Sequence, residues 1–168
     1  MDDKAKESKR KLVGICGIYC GTCPRYLAPR IQDGAYLEQT SRETGYSAEE
    51  IRCEGCLSDK VYPTCIDCRP GFRRCAGEKN VTWCFQCQDF PCRRLRDFLD
   101  IHVVNGISHH ARLIEELQDM KDQGIDTWIE KQEEAGRCRG CGKMLYWYDL
   151  QCSNCRSSTQ RNRISCDC

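Results

Sequence analysis

Apolar residues recur at helical spacing along the second half of this chain and lose that rhythm in the first. The segment "FPCRRLRDFLD" puts Leu95, Phe98 and Leu99 on one face, with Pro91 in a first turn where its missing N–H costs little. "SHHARLIEELQDM" repeats the stripe through Leu113, Ile114, Leu117 and Met120, with Ser108 as the expected N-cap and Gly124 as the stop. "DTWIEKQEE" follows, with Asp126 as cap and Trp128 and Ile129 facing inward. Such stripes predict core-facing helices. Earlier in the chain a helix is expected from Pro24 or Pro29 to Thr40, and Pro29, lacking a donor, calls for a late start or a kink. "SAEE", Ser47 to Glu50, is a capping box. Residues 1–11 show no apolar periodicity and predict a disordered basic arm. Near the end, "KMLYWYDL" alternates in the manner of a β-hairpin.

Cysteine changes this picture. The chain has 168 residues and is 40% hydrophobic, but 17 of those residues are cysteines. The remaining aliphatic and aromatic residues are sparse for an unaided core, so the fold needs staples. Eleven cysteines fall in residues 12–92, none in 93–137, and six in 138–168. The expected organisation is a cysteine-rich metal-binding domain over 12–92, a helical connector over 93–137, and a zinc ribbon with its tail over 138–168. The expected fold class is a small, metal-stabilised, irregular α+β protein. The short run from Leu12 to Ile18 is broken by glycines and lacks a cleavage pattern, which argues against export. No stretch approaches the ~20 apolar residues of a membrane span. These features favour a cytoplasmic protein, whose reduced thiols hold metal rather than disulfides.

The terminal segment "CRGCGKMLYWYDLQCSNC" carries the plainest chemistry. Cys138 and Cys141, with Cys152 and Cys155, are two C-x2-C pairs. Two-residue spacing lets both thiolates reach one ion while the backbone amides of the turn point at sulfur. Gly142 relieves crowding where the chain turns back. Four thiolates around a closed tetrahedral zinc ion are expected. Cys53 with Cys56, Cys65 with Cys68, and Cys84 with Cys87 repeat the spacing, as do Cys20 and Cys23; Cys16, Cys75 and Cys92 stand singly. All eleven are candidate ligands. Their pairing stays open, including a shared or spectator thiol, a histidine ligand, or a contribution from Cys166 or Cys168.

Zinc and iron–sulfur sites use the same thiolates. Cys16, Cys20 and Cys23 stand at the C-x3-C-x2-C spacing of radical-forming cluster enzymes, but the chain is too short for their partial α/β barrel. An iron–sulfur cluster for electron transfer within residues 16–92 stays open. His102, His109 and His110 read as surface or capping residues rather than ligands. No phosphate loop, Ser/His/Asp set or paired-carboxylate pattern stands out, so enzymatic activity is not expected. The formal net charge is +1. A zinc ion with four thiolates carries about −2, so the basic clusters read as counter-charge. These are Lys9, Arg10 and Lys11; Arg73 and Arg74; Arg93, Arg94 and Arg96; and Arg161 and Arg163. Nucleic-acid binding is the rival reading of these clusters, with Tyr146, Trp147 and Tyr148 as stacking platforms.

The ordered motifs of the first block resemble the cysteine-rich domain of unknown function 3795 family. "CGIYCGTCP" matches its C-G-[LIV]-x-C-x-x-C-P opening, followed by "CEGC" at 53–56, "CIDC" at 65–68, "CAGEKN" at 75–80 and "CFQCQDFPC" at 84–92. The resemblance spans about residues 12–100 and implies metal binding without naming a catalytic residue. Taken together, the expectation is a protein organised by several zinc ions and acting as an interaction or adaptor module for another protein, away from membranes. The alternatives are an iron–sulfur redox protein and a nucleic-acid-binding zinc protein.

Overall fold

The computed structural model describes residues 3–159 apart from Asp100, His102 and Asn105. His102, Arg161, Arg163, Cys166 and Cys168 therefore lie outside the described residues. The chain is mostly helical: α1 (Asp3–Arg10), α2 (Pro24–Arg30), α3 (Gly34–Thr44), α4 (Ala48–Ile51), α5 (Pro63–Ile66), α6 (Phe72–Lys79), α7 (Arg93–Arg96), α8 (Leu113–Gln123) and α9 (Ile125–Ala135). Two short antiparallel strands, β1 (Val103–Val104) and β2 (Ile107–Ser108), separate α7 from α8. No helix among the described residues is long and apolar enough to cross a membrane.

The main core draws on both halves of the chain. Leu12, Val13, Ile15, Cys16 and Tyr19 of the opening segment pack with Phe72, Ala76, Leu95 and Phe98. The same cluster takes Leu113, Leu117, Met120, Trp128 and Ile129 from the α8–α9 hairpin. Those inward faces are the ones the apolar spacing predicted. Gly124, at φ +86°, ends α8 as expected and opens α9 directly. A smaller cluster of Ile51, Cys53 and Tyr62, with Leu37, Tyr46 and Val61 against it, seats α3 and α4. The capping box is present, with Ser47 and Glu50 exchanging side-chain and backbone bonds.

Four local expectations need correction. Residues 3–10 form α1 and lie against α9, joined by Lys9–Glu133 and bidentate Arg10–Asp126 pairs at 2.8 Å. Charged residues without an apolar stripe are helical here because the partner helix supplies opposite charge. Asp126 consequently serves α1 instead of capping α9, whose N-cap is Gly124. Ser108 sits in β2, where its hydroxyl accepts from the His110 amide, and α8 begins at Leu113. The helix expected up to Thr40 is two helices, broken after Arg30 and restarted when the Asp33 carboxylate accepts from the Tyr36 amide at 3.1 Å. Pro29 lies inside α2 and leaves the Arg25 carbonyl without its helical donor. The Cys53 amide takes that place at 3.2 Å, so the proline frees the acceptor that anchors the second cysteine knuckle.

The β-hairpin expected within residues 143–150 is not formed as a ladder. Met144 pairs with Arg137 and Gln151 with Ser158, each as an isolated bridge. The strand pair that does form, Val103↔Ser108 and Val104↔Ile107, turns through Gly106 at φ +73°.

Candidate metal centre

The C-terminal cysteines meet as two knuckles of the same build. In the first, the Cys138 amide donates to the Lys143 carbonyl at 2.8 Å and the Gly142 amide to the Cys138 carbonyl at 2.8 Å. In the second, the Cys152 amide donates to Ser157 at 2.9 Å and the Arg156 amide to Cys152 at 2.9 Å. Gly142 (φ +75°) and Arg156 (φ +62°) occupy the equivalent left-handed position. Glycine is the natural occupant there, and arginine holds the same conformation under strain. Gly140 matters for a different reason. A Cβ on it would lie 2.6 Å from Ser157 Oγ and 3.1 Å from Cys155 Sγ, so its bare backbone lets the knuckles close on each other.

The sulfurs are correspondingly near. Cys138 and Cys155 are 3.5 Å apart, Cys141 and Cys152 3.6 Å, and all four ligand atoms lie within 4.8 Å of one another. A tetrahedron with metal–sulfur bonds of ~2.3 Å has edges of ~3.8 Å, so the four fit a closed thiolate site. Donors are already aimed at sulfur. The Ser157 hydroxyl and amide hold the Cys155 thiol down to about 6. Cys141 is lowered by Asn154 and by the Lys143 amide. Each such donor favours the thiolate, the form that binds metal.

The loop between the knuckles docks the site onto the first block. Tyr146 donates its hydroxyl proton to the Asp33 carboxylate at 2.7 Å, and Trp147 donates its indole N–H to the Tyr19 carbonyl at 3.1 Å. Trp147 also stacks on His109, ring centroids 4.1 Å apart, and Tyr148 bonds the His109 ring. His110 is buried and bonds the Ile101 carbonyl through Nδ1 at 2.8 Å. The three aromatics considered for base stacking thus pack within the chain, and both described histidines are structural rather than surface residues.

The eleven cysteines of the first block fall in two adjoining neighbourhoods, linked through Cys84, which is coupled to Cys16 and Cys68. Cys16, Cys20, Cys23, Cys53, Cys56, Cys65 and Cys68 form one, with Cys56 electrostatically coupled to Cys16, Cys20, Cys53, Cys65 and Cys68. Burial pushes the Cys16 and Cys20 thiols well up and Cys23 up to about 12. Amides nonetheless face these sulfurs: Ile18 at Cys16, Arg25 and Tyr26 at Cys23, Cys56 at Cys20, and Ile15 at Cys56. The Gly55 amide donates to Cys53 Sγ at 3.4 Å. Cys75, Cys84, Cys87 and Cys92 form the other neighbourhood. Cys20–Thr22 and Cys84–Gln86 are matching 3-10 turns, each closed by the second cysteine's amide on the first cysteine's carbonyl, at 3.0 and 3.1 Å. Arg73 bonds the Cys56 carbonyl and Arg94 the Gly71 carbonyl, which puts basic side chains beside the thiols. Arg74 and Arg93 pair instead along their own helices with Glu78 and Asp97.

No curated protein and no solved structure matches the chain. A family model, described as a protein of unknown function (DUF3795), matches residues 12–97 and stops short of the C-terminal thiols. It covers the opening segment, all eleven first-block cysteines and α7, about half of the chain, and on that match the protein belongs to the DUF3795 family.

Proposed function

We propose that this is a zinc protein whose fold depends on thiolate-bound ions and whose role is to present a binding surface to another protein. One observation carries the metal reading: four sulfurs on two matched knuckles, with spacings of 3.5 and 3.6 Å that suit a single tetrahedral ion. In this reading the C-terminal segment is a compact zinc ribbon built from knuckles. The d10 ion has no redox chemistry at neutral potentials and contributes folding free energy directly. All described cysteines are free thiols, which suits the reducing cytoplasm. The interaction role is supported by Ile101, Val103 and Val104, apolar and exposed around β1.

The test is metal content together with a visible spectrum, on protein purified without oxygen. Colourless protein carrying several zinc ions and no iron is the expected result. A brown, iron-containing protein would reassign the first block to electron transfer, leaving zinc at Cys138, Cys141, Cys152 and Cys155 alone.

A further inference from the structure

A second set of four cysteines surrounds its own small cavity within the family-matched half. Cys75, Cys84, Cys87 and Cys92, together with Lys79 and Arg94, line a space of about 40 Å³. Each arrives from a different local device. Cys75 projects from α6, and Asn80, at φ +52°, then reverses the chain. Cys84 and Cys87 flank the 3-10 turn, which Gln86 stiffens by accepting from the Thr82 and Trp83 amides at 2.9 and 3.0 Å. Cys92 is the N-cap of α7.

We propose that these four cysteines form a second closed site for one zinc ion, separate from the C-terminal site. This rests on the structural-zinc reading above and extends it by assigning ligands that spacing alone leaves unpaired. Among the described residues the C-terminal set is the one group whose ligand atoms already converge, so closure on an ion here draws the thiols inward. On the same measure one water needs ~10–15 Å³, so the space is that of a few water molecules. It has room for a single ion. The walls suit the charge. Four thiolates on a divalent ion leave about −2, and Lys79, Arg94 and Asp89 give the lining a net positive charge that offsets part of it. Its one carboxylate, Asp89, is paired with Lys79 at 2.6 Å. Phe72, Val81, Phe90 and Leu95 supply apolar shielding.

The experiment counts ions by native mass spectrometry on the full zinc-loaded chain and on Cys87→Ser, Cys92→Ser, Cys141→Ser and paired variants. Cys87→Ser and Cys92→Ser should each lose one ion, and their double variant the same single ion. Cys87→Ser combined with Cys141→Ser should lose two. Loss of two ions from the Cys87/Cys92 double, loss of none, or iron and sulfide held by these residues would overturn the proposal. Retention of every ion by Cys141→Ser would instead defeat the structural-zinc reading itself, so the two failures are distinct. Where a cysteine variant does not fold, Asp89→Asn keeps all four thiols. On cadmium-loaded protein it should move a single cadmium NMR resonance, and one that Cys141→Ser leaves in place. An unchanged spectrum would also overturn the site.

Discussion

Gly17, directly after the first cysteine, is expected to resist replacement by even one methyl group. It sits at φ +95°, and a Cβ there would lie 2.8 Å from Leu117 Cγ and 3.2 Å from the Leu113 carbonyl oxygen. The left-handed conformation costs an L-residue ~1–2 kcal/mol. Overpacking against a buried leucine adds ~1–3 kcal/mol. Gly17→Ala should therefore destabilise by roughly 2–5 kcal/mol, combining those two ranges. At about 2–4 °C per kcal/mol for a chain of this size, melting falls by roughly 4–20 °C. Thermal unfolding followed by tryptophan fluorescence measures this, with metal and protein concentrations fixed so that ligand linkage is common to all variants. The double variant sharpens the test. Leu117, fully buried, should cost ~2–5 kcal/mol as Leu117→Ala. Combined with Gly17→Ala the two should cost less than their sum by about 1–3 kcal/mol, because the methyl clash disappears while the backbone strain remains. Additivity within ~0.5 kcal/mol would refute the close approach of the opening segment to α8.

Three further outcomes follow from contacts described above. Gly140→Ala should weaken zinc at the C-terminal site by about 10–100-fold, the scale of disturbed supporting shells, measured by competition with a chromophoric chelator. Unchanged affinity would show that the knuckles do not need the bare backbone. Glu116→Ala removes the acceptor of the buried Trp128 indole N–H at 2.6 Å and should cost ~1–3 kcal/mol in melting experiments, whereas Glu116→Gln should recover most of it. Asp33→Ala should lose ~1–2 kcal/mol from the α3 cap, beside the Tyr146 bond it also removes, and Asp33→Asn, which keeps an accepting oxygen for the cap, should lose less; equal losses in both would show that the cap bond is not what Asp33 contributes.

The helical half was legible because its apolar stripes bury against one core. Leu113, Leu117, Met120, Trp128 and Ile129 are where periodicity places them. Local chemistry of short reach, such as the Ser47–Glu50 capping box and the Gly124 stop, was equally readable. Three features depended on tertiary partners and were not. The helix α1 is fixed by charges on α9, more than a hundred residues away. The freed Arg25 carbonyl finds its donor at Cys53, a consequence of Pro29 that no local window shows. The grouping of eleven thiols depends on how α6, the 3-10 turns and α7 converge, and C-x2-C spacing is silent on that. The β1–β2 hairpin has a local signal that apolar periodicity passes over: Asn105-Gly106 between Val103-Val104 and Ile107 is a strong hairpin sequence. The meeting of the four C-terminal cysteines follows their spacing, but their backbone does not, because two equivalent knuckles stand in place of a ladder.

The Trp147 indole holds the carbonyl of Tyr19, the residue immediately before Cys20, from a loop that itself joins Cys141 to Cys152. The two ends of the chain are therefore not independent reservoirs. An ion that orders one end and so strengthens this bond must favour occupancy at the other, and the second must favour the first by the same factor. Loading should then be steeper in free metal than separate sites allow, and depletion should empty the chain abruptly. On the proposed zinc reading, such wiring would make the folded surface a threshold function of metal supply.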